Sequence, residues 1–226
     1  MRFFSFFFEF LYILFLTLQH KSICRIYQII NLNKIIFFGN IIEFGVNNFE
    51  NSFFKKRKFY NKLHITDQIN SNESRYIKID LQKNNNIKKK FSNAIVFNVL
   101  EHVIDFDKAI DEIKKILKKK GKIFLSTPFL YRYHEAPDDF SRYTSQYLKK
   151  KIEKKGFKIL KCRNFGTGPF MVSYSMLFDY FKFIPLLPVL IIFLFMMIDF
   201  FLSLFQKTAM SKIYPICIIL EAQRKN

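Results

Sequence analysis

The sequence predicts an α/β fold built on a mostly parallel, doubly wound sheet. Three observations between Asn93 and Gly156 predict it. Residues 94–97 and 123–125 are short apolar runs, the pattern of parallel strands covered on both faces. Between them Phe106, Ile110, Ile113, Ile116 and Leu117 recur at helical spacing and make one apolar face. Both apolar runs end in polar residues, so strand, helix and strand form a βαβ unit. Ligands in such sheets bind outside the carboxyl ends of the strands.

The elements follow in order. Residues 40–44 read as a first strand that reaches Glu43 and then Gly45. Residues 63–66 read as a second, ending at Asp67, and residues 76–79 as a third, ending at Asp80 and Leu81. Asn98 closes the fourth. Asp105 or Asp107 can cap the following helix, Lys118, Lys119 and Lys120 suit its C-terminal dipole, and Gly121 can take the left-handed position that stops it. Pro128 ends the next strand. A loop dense in ionisable and aromatic residues, 131–144, then leads into another basic helix.

This run reads Val99-Leu100-Glu101-His102-Val103, a helix, ILKKKGKIFLSTP at 116–128, YHEAPDDFSRYT at 133–144 and GFKIL at 156–160. It resembles the class I S-adenosylmethionine-dependent methyltransferases, and among them the small bacterial type 11 group. The HEAP…D…RYT segment resembles a subgroup often linked to surface-sugar or lipid-linked glycan pathways. The resemblance covers roughly residues 39–166 and resumes at the C-terminus. It implies a Rossmann-like sheet with an antiparallel last strand at 214–221. The domains expected are an apolar N-terminal helical segment at 1–34, a methyltransferase domain at 35–166 plus 212–226, and an apolar helical insertion at 167–211.

The resemblance also implies S-adenosylmethionine as cofactor and a site for it. The family's first loop carries an acid and then Gly-x-Gly-x-Gly. Here Glu43-Phe44-Gly45-Val46-Asn47-Asn48 keeps the first glycine, and Asn47 can stand in for the second because Asn tolerates positive φ. Asp67 matches the ribose-hydroxyl ligand, since a carboxylate accepts from both hydroxyls. Asp80 and Leu81 match the position beside the adenine amino group, and Asn98 faces the same crevice. An active loop and a degenerate one remain alternatives; three acids in family order favour the site.

On the acceptor side, His134, Glu135, Asp138, Asp139 and Arg142 are interleaved with Tyr131, Tyr133, Phe140 and Tyr143. Carboxylates bind hydroxyls, Arg binds carboxylate or phosphate, and rings stack, so the loop suits a polar acceptor. His134 is the candidate base, with Glu135 or Asp138 orienting it, and Arg142 a candidate acceptor ligand. The alternative is a salt-bridged loop that only closes over the cofactor. His102 is a second candidate base, because its unperturbed pKa lies near neutrality. In some quinone O-methyltransferases the Glu101–His102 turn, with a carboxylate three residues earlier, resembles a metal site. Asn98 holds that position here and is the poorer ligand, so no metal is expected.

The chain carries 37 Lys and Arg against 18 Asp and Glu, a net charge of +19. That balance favours anionic partners, lipid headgroups or nucleic acid. No RNA-binding module is recognisable, so nucleic acid ranks last. A composition rich in Phe, Ile, Lys and Asn also follows from an AT-rich genome, and the basic runs at 55–58, 88–90 and 149–151 each read as solvated faces. Residues 84–86 read as a low-complexity loop. Cys24, Cys162 and Cys217 have no metal spacing and leave an odd thiol, which fits a reducing cytoplasm.

Two apolar segments remain. Residues 3–18, interrupted by Glu9, read as an uncleaved anchor, an interfacial helix or a packed helix, with membrane contact preferred. Residues 183–205 are long enough to cross a bilayer as a transmembrane helix. Asp199 would cost roughly 2.5–3.5 kcal/mol at the membrane centre, less near one end. A single crossing would put the last strand on the wrong side, so a monotopic or peripheral arrangement on the cytoplasmic side of the cell membrane is expected, against anionic lipid. The function expected is O-methylation of a small or lipid-linked, glycan-type acceptor at that surface. The alternatives are a catalytically degenerate membrane scaffold and, third, an RNA-directed methyltransferase.

Overall fold

The computed structural model describes residues 2–54, 63–67, 72, 75–135 and 137–226, with the side chains of residues 2–9 left aside. The basic run at 55–58 lies outside the described residues. Six strands form one sheet: β1 (Ile41–Phe44), β2 (Leu63–Thr66), β3 (Phe91–Phe97), β4 (Leu117–Pro128), β5 (Phe157–Phe165) and β6 (Cys217–Arg224). Their order is β2-β1-β3-β4-β6-β5. β1 runs parallel to β2 and β3, β3 runs parallel to β4, and the last strand is antiparallel. Helices α1 (Arg2–Leu18), α2 (Ile23–Asn33), α3 (Phe106–Ile116), α4 (Ser145–Lys154), α5 (Pro169–Phe181), α6 (Leu187–Ser203) and α7 (Met210–Ile213) complete the chain.

The chain divides into two compact units. One comprises Met1–Ile35, Pro128–Arg132 and Asn164–Cys217; the other comprises Ile36–Thr127, Tyr133–Arg163 and Ile218–Asn226. In the second, Ile41, Ile42, Ala94, Ile95, Val96, Ile123 and Leu125 are fully buried, as strands covered on both faces require. Phe37 packs edge-on against Phe54 and Phe124, with ring centroids 5.4 and 5.2 Å away. The apolar face of α3 (Phe106, Ala109, Ile110, Ile113, Ile116) is buried, and Asp105 caps the helix by accepting from the Lys108 amide at 2.9 Å. Lys155, just after α4, bridges Asp107 and Asp111, and Lys151 of α4 also pairs with Asp107.

Two local expectations are corrected. The helix stops at Ile116, before Lys118–Lys120, which lie instead in the irregular start of β4. Lys120, at φ +59°, takes the left-handed conformation expected of Gly121. Gly121 is needed for space, because a Cβ there would meet the Lys118 carbonyl oxygen at 2.9 Å. Arg224 of β6 donates to the Lys114 and Leu117 carbonyls, so a side chain from the far end of the sequence satisfies the helix end. The third strand is also reduced. Tyr76 makes an isolated bridge to Ile65, and the Ile77 and Ile79 amides donate to the Ile65 and Asp67 carbonyls. The chain then turns at Asp80, where Asn85 both accepts from the Asp80 amide (3.2 Å) and donates to its carbonyl (2.8 Å).

In the first unit, α5 and α6 pack side by side, with Phe170 and Phe195 rings 5.4 Å apart. The expectation of a transmembrane helix over residues 183–205 is corrected here. Leu186 turns left-handed at φ +62°, α6 starts only at Leu187, and it has 17 residues. Among the described residues no helix is long and apolar enough to cross a membrane. Asp199 is fully buried and bound to protein: it accepts from the Thr167 hydroxyl (2.9 Å) and from the Phe170 and Met171 amides (3.0 and 2.9 Å). It thereby supplies the cap that Gly168 cannot give to the N-terminus of α5.

Candidate functional site

The carboxyl ends of β1, β2 and β3 open onto a cleft of about 320 Å³ in the second unit. Gly45, Asn47, Asp67, Asp80, Leu81, Asn98 and His102 all line it. Each is there for a local reason. Gly45 follows β1 at φ +72°, and a Cβ would lie 2.8 Å from Val99 Cγ2. The bare backbone is what lets the two loops approach. Asn98 follows β3 at φ +54°, a conformation Asn tolerates, and its amide donates to the Ser126 carbonyl at 2.9 Å. Asp67 is held by its carbonyl, which accepts from the Tyr76 hydroxyl (2.7 Å). Asp80 is held by Asn85, which also hydrogen-bonds Glu112 through its amide and side chain. Asn85 was hidden in a run that reads as low complexity.

Glu43 has a different place from the expected one. It is buried and accepts from the Ser52 hydroxyl (2.5 Å) and the Phe53 amide (2.9 Å), fastening the chain after β1 rather than lining the cleft. Asn47 lines the cleft but is not among the residues with positive φ, so it does not act as a second glycine. Asn48 caps the short 3-10 turn Phe49–Asn51, accepting from the Asn51 amide.

The expected acceptor loop lies against the 3-10 turn Leu100–His102. The Phe140 and Ser141 amides donate to the Glu101 carbonyl (2.8 and 3.3 Å), and the Tyr143 hydroxyl donates to the Leu100 carbonyl (3.2 Å). His102 Nδ1 bonds to the Asp138 carbonyl. A carbonyl only accepts, so Nδ1 is the donor, and in the neutral ring the lone pair falls on Nε2. His102 and His134 meet edge to face, with ring centroids 5.1 Å apart.

Asp139 organises this loop, a role the sequence assigned to its neighbours. Its carboxylate is buried, takes both guanidinium nitrogens of Arg142, accepts from the His134 amide (2.9 Å) and lies 3.4 Å from His134 Nδ1. The Arg142 hydrogen bonds hold it down at about 2. Glu135 instead accepts from the Tyr133 hydroxyl at 3.0 Å, and Asp138 contributes its carbonyl. Glu101 is fully buried, neither carboxylate oxygen has a hydrogen-bond partner among the described residues, and burial pushes its pKa up to about 8. An unmet buried carboxyl is costly and calls for an explanation.

The residues present fit S-adenosylmethionine. The cleft joins bare backbone at Gly45 to two carboxylates, Asp67 and Asp80, that can accept from hydroxyl and amino groups. A family profile described as "Methyltransferase domain" matches residues 40–161, just over half of the chain. Among solved structures, the chain is similar to the 4+2 cyclase SpnF at a TM-score of 0.55 and 13% identity, covering 89% of this chain and 81% of that one. It is similar to an S-adenosylmethionine-dependent methyltransferase from Mesorhizobium loti at 0.54 and 12%, covering 89% and 98%. Phosphoethanolamine N-methyltransferase 2 from Haemonchus contortus, in complex with S-adenosyl-L-methionine, matches at 0.52 and 11%, covering 88% and 52%. At these identities the likeness is one of fold. No curated protein matches the chain.

Proposed function

The chain belongs to the methyltransferase-domain family, and from that premise we propose that it moves a methyl group from S-adenosylmethionine to an oxygen of a small or lipid-linked acceptor at a membrane surface. The observation that carries this reading is one cleft wall that joins Gly45, Asp67, Asp80 and Asn98 to His102, whose ring contacts the acceptor loop. The sulfonium methyl is already activated, so the protein has to align the acceptor oxygen in line and take up its proton. His134 is the base, with Asp139 beside its Nδ1. As the oxygen–methyl bond forms, the methyl–sulfur bond breaks and S-adenosylhomocysteine leaves.

Calorimetric titration with S-adenosylmethionine and S-adenosylhomocysteine tests the premise. Saturable binding is expected; its absence at millimolar ligand would leave a methyltransferase-fold scaffold, a reading favoured by the missing second and third glycines. His134→Ala should abolish turnover while the affinity for S-adenosylhomocysteine stays within about twofold. Undiminished turnover would remove His134 from the mechanism.

The membrane part of the reading rests on α5, α6 and their flanks. Tyr180, Phe183 and Phe205 are each more than three-quarters exposed, and Ile184, Leu186, Leu190, Phe193 and Leu194 are also open to solvent. So large an apolar patch on a chain of charge +19 suits an anionic bilayer surface. The protein should pellet with vesicles containing phosphatidylglycerol and be released by detergent. Full release by high salt alone would overturn the apolar contact.

A further inference from the structure

We propose that Glu101, His102 and His134 form a binding site for one divalent transition-metal ion beside the cofactor cleft. The argument starts from Glu101. Its side chain has no exposed surface, both carboxylate oxygens lack a hydrogen-bond partner among the described residues, and Oε1 faces His102 Nε2 at 3.9 Å. Ligand atoms of Glu101, His102 and His134 all lie within 4.8 Å of one another. Ligands about 2.0–2.2 Å from a tetrahedral ion stand about 3.3–3.6 Å apart, so closing the site takes only a small side-chain movement.

The surroundings already do what a metal site asks of them. A ligating imidazole usually donates its other N–H to a carbonyl or carboxylate, which fixes the tautomer and aims the lone pair. His102 Nδ1 bonds the Asp138 carbonyl, leaving Nε2 toward Glu101. His134 Nδ1 lies 3.4 Å from the Asp139 carboxylate, which places the ring beside the other two ligands. The nearby Arg142 guanidinium is engaged at both nitrogens by Asp139, so its charge is matched. The sequence counted Asn98 against a metal here. The structure supplies the third ligand from the acceptor loop instead.

Two imidazoles and a carboxylate with an open position suit Zn²⁺ or another first-row divalent ion. His102 also lines the cleft, so the ion lies next to where a methyl donor would be held. The acceptor class that follows is a hydroxyl compound able to ligate the ion. With an ion bound, His134 would serve as a ligand in place of the base role it has in the metal-free protein; the ion would lower the hydroxyl pKa, the proton would leave to solvent, and the oxygen would take the methyl as the methyl–sulfur bond breaks. This last step rests on the methyltransferase reading; metal binding itself does not.

Metal-stripped full-length protein titrated with Co²⁺ and Zn²⁺ tests the site, by visible absorption for Co²⁺ and calorimetry for Zn²⁺. One ion per chain is expected, with a four- or five-coordinate Co²⁺ spectrum. Glu101→Gln, which keeps the shape, and His134→Ala, which changes a part-exposed ring, should each weaken binding at least tenfold. His20→Ala should leave it unchanged. If Glu101→Gln fails to fold, His134→Ala decides. Absence of stoichiometric binding, or binding that survives His134→Ala, overturns the site. S-adenosylhomocysteine binding measured on the same samples reports separately on the cofactor cleft.

Discussion

Replacing Asp199 by alanine is expected to destabilise the first unit by about 3 kcal/mol. The carboxylate accepts three hydrogen bonds from Thr167, Phe170 and Met171, and it has no exposed surface. Removing it strands two amides and a hydroxyl, and each buried orphan costs about 1–3 kcal/mol before relaxation. A negative group at the first turn of α5 also meets the helix dipole favourably. Asp199→Asn keeps an acceptor oxygen and loses the charge, so it should cost about half as much. Chemical denaturation of the three proteins should therefore rank them wild type, Asn, Ala. An alanine variant within about 0.5 kcal/mol of wild type would show that the cap carries no stability. Gly168→Ala reaches the same contact from the other side, since its Cβ would meet Asp199 Oδ1 at 2.4 Å.

Gly45→Ala is expected to reduce affinity for S-adenosylhomocysteine at least tenfold. Two costs combine. A left-handed conformation costs an L-residue about 1–2 kcal/mol, and Gly45 sits at φ +72°. The added methyl also meets Val99 Cγ2 at 2.8 Å, and a β-branched valine has little freedom to turn away. Both residues line the cleft, so any adjustment moves its wall. Calorimetry reads the affinity directly. Val99→Ala in the Gly45→Ala background should recover part of the loss, because it relieves the contact and leaves the backbone strain. An unchanged affinity in Gly45→Ala would mean that the loop after β1 takes no part in cofactor binding.

What the sequence made legible was local. The cap at Asp105, the apolar face of α3 and the buried runs of β3 and β4 follow from neighbours within one helix or strand. The end of α3 did not, because its carbonyls are satisfied by Arg224, over a hundred residues away, and not by the glycine that helix-ending rules point to. The cleft residues were found because strand ends in an α/β sheet converge by topology. Glu43 broke that pattern for a reason no spacing reveals: Ser52 and the Phe53 amide fold back and occupy its carboxylate. In the loop proposed to take the acceptor, the residue types were readable and the partnerships were not. Three acids lie close together, and only the turn of the loop decides that Asp139 meets both His134 and Arg142. Residues 183–205 show the same limit. Their apolar length was plain, but the break at Leu186 and the partners of Asp199 depend on how the chain folds back on itself.

The seam between residues 138–143 and the Leu100–His102 turn is made mainly of main-chain partners. Phe140 and Ser141 use their amides, and the acceptors are the carbonyls of Leu100, Glu101 and Asp138. Side-chain identity at Phe140 and Ser141 is therefore free of that duty. A loop anchored in this way can be diversified without losing its footing, so libraries that randomise these two positions and hold Glu101, His102 and Tyr143 constant are a rational way to test whether the loop sets acceptor preference, as proposed above. Transplanting the loop without its turn would carry the variable half of the device and leave the fixed half behind.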